Sequence, residues 1–235
     1  MIDDFSGCCS SFYVLSNRGC GKTFYTLNSI YCRYQNMIDD VYVFSESAHI
    51  SGEYKEITDQ IYRLNKIKQI DQIKKSEGNK FIIIENIHVL TDKQYLLKII
   101  SECKKYNMVI VVDAVMDTFS SSIAEIIDYV VIGKTTSSST IQSYYTKYVN
   151  PEYHNYEEFA NIIMSIEGSQ FVVFNEGKIK INKHTCEKKE LLPKLYGKNI
   201  VNNEQSIFDK QLVERINNTI DELIKIRNEI KNRIN

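Results

Sequence analysis

The sequence contains no tryptophan and two prolines, and no apolar run reaches the roughly eighteen residues that a membrane-crossing helix needs. Its six cysteines (Cys8, Cys9, Cys20, Cys32, Cys103, Cys186) show no CxxC spacing and no neighbouring histidine pair, which excludes a zinc ribbon or a disulfide framework. Net charge is also missing: 29 basic residues against 30 acidic ones leave −1. A chain coated in positive potential is thereby excluded, although a local basic surface is not. The first residues, Met1-Ile2-Asp3-Asp4, are acidic where a secretory leader would be basic and then apolar, so the expected location is inside a cell. What remains is an ordinary globular composition, 43% hydrophobic and 25% charged over 235 residues, which excludes wholesale disorder. Isoleucine, asparagine, lysine and tyrosine are abundant throughout, so Asn- and Lys-rich stretches carry no functional weight.

Short apolar runs alternate with longer amphipathic segments. Residues 12–15, 41–44, 81–84, 108–112 and 129–132 read as strands, the third an unbroken Phe-Ile-Ile-Ile run of the kind buried inside parallel sheets. Between them, residues 21–34, 54–75 and 92–105 read as helices. In the second of these, Ile57, Ile61, Leu64, Ile67, Ile70 and Ile73 recur at helical spacing. The expected fold is α/β, a mostly parallel central sheet flanked by helices. Beyond residue 133 a Ser/Thr-rich run caps a helix over 141–149, a further helix covers 156–166, and 171–174 with 178–181 form a hairpin across Asn-Glu-Gly. The domain is expected to span residues 1–200. A polar linker then leads to a C-terminal helix over 206–235, where Val213, Ile216, Ile220, Leu223, Ile230 and Ile234 form either a coiled-coil seam or a face laid on the domain.

The chemistry concentrates at Ser16-Asn17-Arg18-Gly19-Cys20-Gly21-Lys22-Thr23, between the first strand and the first helix. This is the phosphate-loop pattern GxxxxGK[ST] with Ser16 in place of the first glycine. Gly19 and Gly21 allow backbone conformations and close approach that a Cβ would obstruct, so that main-chain N–H groups turn inward as an anion nest at a helix start. Lys22 would reach the β- and γ-phosphates of ATP, and the Thr23 hydroxyl would complete the shell of Mg²⁺.

Such a loop needs an acid at the end of another strand, and Glu85 follows the Phe81–Ile84 run. Glu85 is either part of the magnesium shell or the base for the attacking water. Asn86, where a second acid would stand, can orient a water through its amide but cannot accept its proton. The catalytic candidates are therefore Lys22, Glu85 and Asn86, with Thr23 and Glu85 for the metal. Asp113 ends the strand at 108–112, where a γ-phosphate sensor would sit. No arginine lies between Arg63 and Arg215, although a finger arginine contributes about 10³–10⁵ in rate to this chemistry.

With these residues in place the chain resembles the genome-packaging ATPases of poxviruses and other large DNA viruses, within the FtsK–HerA class. The matching blocks are Val14-Leu15 with Gly21-Lys22-Thr23, Val41 to Ser45, Phe81 to Glu85, Asn107 to Val112, Asp128 to Ile132 and the hairpin at 171–181. The resemblance implies a homo-oligomeric ring that hydrolyses ATP to drive double-stranded DNA into a capsid, located in the virion or the viral factory of the host cytoplasm. Departures from the family pattern are Ser16, Asn86, Val115 near the sensor position and the missing arginine. They leave open a second reading, a non-catalytic virion assembly protein that keeps the loop for binding or for fold. A nucleoside kinase is disfavoured by the arginine-free centre. The C-terminal helix is a candidate dock for a capsid or virion component, and Arg63, Lys66, Lys68, Lys74 and Lys75 are either a DNA-contacting set or a solvated helix face.

Overall fold

A computed structural model of the chain describes residues 9–191 apart from 120, 153, 169, 176–177 and 190. The strands are β1 (Ser11–Leu15), β2 (Asp40–Phe44), β3 (Ile61–Tyr62), β4 (Lys80–Ile84), β5 (Met108–Ala114), β6 (Tyr129–Ile132), β7 (Gln170–Asn175) and β8 (Lys178–Thr185). They form one sheet in the order β3-β2-β4-β5-β1-β6-β7-β8. From β3 to β6 every pairing is parallel, and the β7–β8 hairpin adds antiparallel strands beyond β6. β-Branched and aromatic side chains fill both faces of the central strands, which is why those strands read as unbroken apolar runs. Alternation then divides them. Phe12, Val14, Val41, Val43, Phe81, Ile83, Val109 and Val111 pack on one face, while Tyr13, Leu15, Tyr42, Phe44, Ile82, Ile84, Ile110 and Val112 pack on the other.

The first face is covered by α1 (Lys22–Tyr25), which continues through a π-helical stretch at Thr26–Tyr31 into α2 (Cys32–Tyr34). After β2 comes α3 (Ala48–Ser51), and α4 (Ile70–Ile73) precedes β4. The second face is covered by α4, α5 (Lys93–Ser101), α6 (Ser138–Tyr148) and α7 (Tyr156–Met164). Side-chain caps start the last three. Asp92 accepts from the N–H of Tyr95, Ser137 from that of Thr140 and Asn155 from that of Glu158.

The helix expected over 54–75 is not one helix. Tyr54 and Ile57 pack on the first face, whereas Leu64, Ile67, Ile70 and Ile73 pack on the second, so the chain must cross the sheet edge between them. It crosses as β3, whose Ile61 pairs in register with Val43. A 3₁₀ stretch (Leu64–Gln69) then leads into α4. Thr58 fixes the crossing by donating to the Val41 carbonyl at 2.8 Å and accepting from the N–H of Gln60 at 3.0 Å. The apolar spacing was therefore shared between two segments that bury opposite faces.

The chain divides into two units, Met1–Gly197 and Lys198–Asn235. The expected linker and the C-terminal helix over 206–235 lie outside the described residues, as does the tip of the hairpin. Among the described residues no helix is long and apolar enough to cross a membrane.

Candidate functional site

The sheet order places β5 between β1, which leads into the phosphate loop, and β4, which leads into Glu85. Three parallel strands thus end side by side, delivering Ser16, Asp113 and Glu85 to the carboxyl edge, where open α/β sheets bind their ligands. A cleft of about 690 Å³ opens there, lined by Arg18, Gly19, Gly21, Lys22, Thr23, Glu46, Ser47, Glu53, Glu85, Asn86, His88 and Asp113 among others. That volume suits a nucleotide-sized ligand.

The loop itself is built on two left-handed residues, Gly19 (φ 75°) and Gly21 (φ 81°). Apart from the adjoining stretch of its own chain, no protein atom lies within 4 Å of where a Cβ on either would stand, so within the protein itself glycine is required for conformation rather than space. Lys22 folds back along the loop, its Nζ donating to the carbonyls of Ser16 at 2.9 Å and Asn17 at 3.2 Å. The same ammonium stands 3.9 Å from Asp113 Oδ1. The Ser16 backbone therefore belongs to the loop, but its side chain does not face the cleft. Its hydroxyl is buried without a hydrogen-bond partner and packs against Gly133, just after β6. Asn17 and Cys20 shape the loop through an N–H to carbonyl turn of 3.4 Å and are not among the cleft-lining residues described.

Across from the loop, Glu85 is 5% exposed. Its Oε1 accepts from two hydroxyls, Thr23 at 3.5 Å and Tyr54 at 2.5 Å. A Thr23 hydroxyl that gives its proton to a carboxylate keeps its oxygen lone pairs for a cation. This geometry fits Glu85 to the metal shell better than to the role of base. Burial, with the Glu85 carboxylate beside it, holds the Tyr54 phenol far above its ordinary pKa, so it stays a donor. Asn86 follows in the left-handed region (φ 55°), begins the 3₁₀ turn Ile87–Val89 and lines the cleft. Asparagine tolerates that conformation far better than most side chains do.

Asp113 was read from sequence only as the strand-end acid at the sensor position. It is 4% exposed, and burial pushes its carboxyl up to about 7, against the pull of Lys22. Glu46, Glu53, Glu85 and Asp113 together outnumber Arg18 and Lys22 on the cleft wall. An anionic triphosphate is compatible with that wall only when it brings a divalent cation. Among the described residues no group of three His, Cys, Asp or Glu side chains could hold a metal by itself; Thr23, with phosphate oxygens of a bound nucleotide, would supply the shell. Mg²⁺ fits that donor set.

Sequence reasoning missed Tyr54 and Glu53. Ser45 accepts from the N–H groups of Ser47 and Ala48, turning the chain from β2 into α3, which Gly52 (φ 72°) ends. Glu53 is thereby returned to the cleft wall and the Tyr54 hydroxyl to Glu85 behind it. One tyrosine among 16 offers no local signal of this. Of the basic set, Lys74 is 7% exposed and bound to Asp71 at 2.7 Å and Glu102 at 2.9 Å. It is structural. Arg63, Lys66, Lys68 and Lys75 are exposed.

The strand order, the loop and the acid across from it define the fold as that of a P-loop NTPase with a strand inserted between the loop strand and the acid strand. No protein-family model matches the chain, and no curated protein does either. Solved structures do. The genome-packaging NTPase B204 of Sulfolobus turreted icosahedral virus 2, in complex with ATPγS, superposes with a TM-score of 0.59 at 11% identity, over 76% of this chain and 97% of that one. B204 of Sulfolobus turreted icosahedral virus, a DNA-packaging ATPase, gives 0.56 at 9% identity over 76% and 98%. The pCW3 conjugation coupling protein TcpA, with ATPγS, gives 0.53 at 10% identity over 75% and 60%. At such identities the likeness is one of fold.

Proposed function

We propose that this protein is a genome-packaging-type ATPase, which couples ATP binding and hydrolysis to translocation of double-stranded DNA into a capsid. The observation that carries the reading is the convergence of Lys22 and Thr23 on one wall of the cleft with Glu85 and Asp113 on the other, in the strand order of the inserted-strand NTPases. The main-chain N–H groups of residues 17–23 and Lys22 would hold the phosphates, while Thr23, backed by Glu85, would hold Mg²⁺. When bound, the cation neutralises charge developing on the γ-phosphate. Asn86 would orient the attacking water. The fold shared with B204 and TcpA, whose structures carry ATP analogues, supports this reading. Assembly as a homo-oligomeric ring, action in the virion or viral factory, attachment to a virion component through residues 206–235 and kinship to the poxvirus branch belong to the same proposal.

A second reading is favoured by one feature. The residue after Glu85 is an amide in a left-handed conformation rather than a carboxylate. A chain with that substitution is suited to bind Mg-ATP and serve virion assembly without turnover. ATP hydrolysis across a titration of duplex DNA, wild type beside Lys22→Ala, separates the two. DNA-stimulated turnover lost in Lys22→Ala supports the motor. A thermal shift with Mg-ATP and no turnover supports the binding protein. A ligand at about a hundred times its Kd stabilises by roughly 2.7 kcal/mol, which such a shift detects readily.

A further inference from the structure

We propose that Tyr54 is a positioning residue for Glu85: its phenol locks the carboxylate in the orientation from which Thr23 presents its oxygen to a nucleotide-bound divalent cation. The proposal rests on the nucleotide reading above and adds to it a residue that the phosphate-loop pattern does not contain.

Tyr54 is 1% exposed and packs among apolar side chains on the α1 face of the sheet. Packing alone would be served by phenylalanine. A hydroxyl carried into that interior is costly unless it is bonded, and here it is bonded to one atom of the candidate site. Both Tyr54 and Thr23 donate to the same oxygen, Glu85 Oε1. Two donors on one oxygen oppose rotation of the carboxylate. With Tyr54 in place, the proton of Thr23 is held at the Glu85–Tyr54 pair and the threonine oxygen keeps lone pairs toward the cleft.

The phenol is delivered by a rigid turn. The N–H groups of Ile57 and Thr58 both donate to the Tyr54 carbonyl at 3.0 Å, Lys55 donates to that of Gly52 at 3.1 Å, and Thr58 ties the turn to β2. The other end of the turn is α3, whose Ile50 is 82% exposed. The position of the carboxylate is therefore set by a segment that begins at the protein surface.

The test uses the full chain, a non-hydrolysable fluorescent ATP analogue and a Mg²⁺ titration, comparing wild type, Tyr54→Phe, Glu85→Ala and the double variant. Affinity for the analogue at saturating Mg²⁺ reports whether the site is folded, and Tyr54→Phe should retain it. The Mg²⁺ concentration for half effect should rise about tenfold, the scale on which partners of metal-bound groups act. Tyr54→Phe should add nothing further in the Glu85→Ala background. An unchanged Mg²⁺ requirement would overturn the proposal while leaving nucleotide binding intact, as would additive effects in the double variant. Wild-type protein that does not bind the analogue at all would remove the nucleotide reading and this proposal together.

Discussion

Gly133, at the carboxyl end of β6, makes room for Ser16, the residue that stands where the phosphate loop has its first glycine. A Cβ on residue 133 would lie 2.7 Å from the Ser16 Cβ, would run into its hydroxyl, and would stand 3.0 Å from Phe171 Cε1. The two strands are tied at this level, since the N–H of Gly133 donates to the carbonyl of Leu15 at 2.8 Å. The glycine lost from the loop thus has a counterpart on the adjacent strand.

Gly133→Ala should therefore destabilise the fold by about 1–3 kcal/mol, the usual cost of overpacking a filled interior. Ser16→Gly should return part of that loss, because one of the two clashing neighbours is removed. Ser16→Ala alone, which deletes a buried hydroxyl without a partner, should be neutral or stabilising by up to about 1 kcal/mol. Urea denaturation of the three variants and the double variant Ser16→Gly/Gly133→Ala checks the set. Additive costs would show that the two residues are not coupled.

Asp113 gives the protein a pH dependence of definite sign. Its carboxyl is pushed up to about 7 by burial, well above its ordinary value near 3.8. Between those values the folded state binds more protons than the unfolded state, so stability falls as pH rises from about 4 to about 7 and then levels off. Asp113→Asn should flatten that slope and raise stability at pH 8 by up to a few kcal/mol. Unfolding free energies of both proteins from pH 5 to pH 8 decide it. The carboxylate also opposes phosphate, so nucleotide affinity in the variant should improve more at pH 8 than at pH 6.

Lys74 separates a structural lysine from the exposed ones. Its ammonium bridges Asp71 on α4 and Glu102 beyond α5, and both carboxyls are held below their ordinary values by it. Lys74→Met should cost about 1–3 kcal/mol, since Glu102 loses a charged partner at a half-buried position. It should leave affinity for duplex DNA unchanged. If DNA contact uses this side of the molecule, the combined change of Lys66, Lys68 and Lys75 to glutamine should weaken binding and lower its salt dependence without loss of stability. Filter binding at several salt concentrations, read beside urea curves, distinguishes these effects.

The central strands and the loop were legible because each has a local cause. A strand buried on both faces reads as a run of Val, Ile and Phe, and a left-handed turn before a helix reads as glycine at fixed offsets. The segment at 54–75 was misread because helical spacing does not record which face each residue buries, and here the face changes at β3. Tyr54 and Gly133 were invisible for a different reason. Each acts on a partner more than thirty residues away, Glu85 in one case and Ser16 in the other, and only the strand order brings them together. Asp113 could be named from sequence, but its raised carboxyl pKa follows from the burial of β5 between two other strands.

Asn86 bears on whether the site turns over. Its backbone lies at φ 55° and ψ 41°, a conformation that costs most L-residues about 1–2 kcal/mol and that asparagine and aspartate tolerate best. Aspartate can thus replace it without straining the turn into the 3₁₀ helix. It would place a carboxylate in the cleft beside Glu85, where the present amide can hold a water but cannot take its proton. Asn86→Asp should raise ATP turnover by about 10²-fold, the lower end of what a positioned base contributes, with folding unchanged. Asn86→Ala should lower stability by about 1 kcal/mol through the left-handed strain and lower whatever turnover exists. If Asn86→Asp leaves the rate where it was, in protein that binds Mg-ATP normally, the absent carboxylate is not what limits hydrolysis. The cause must then be sought in the missing arginine.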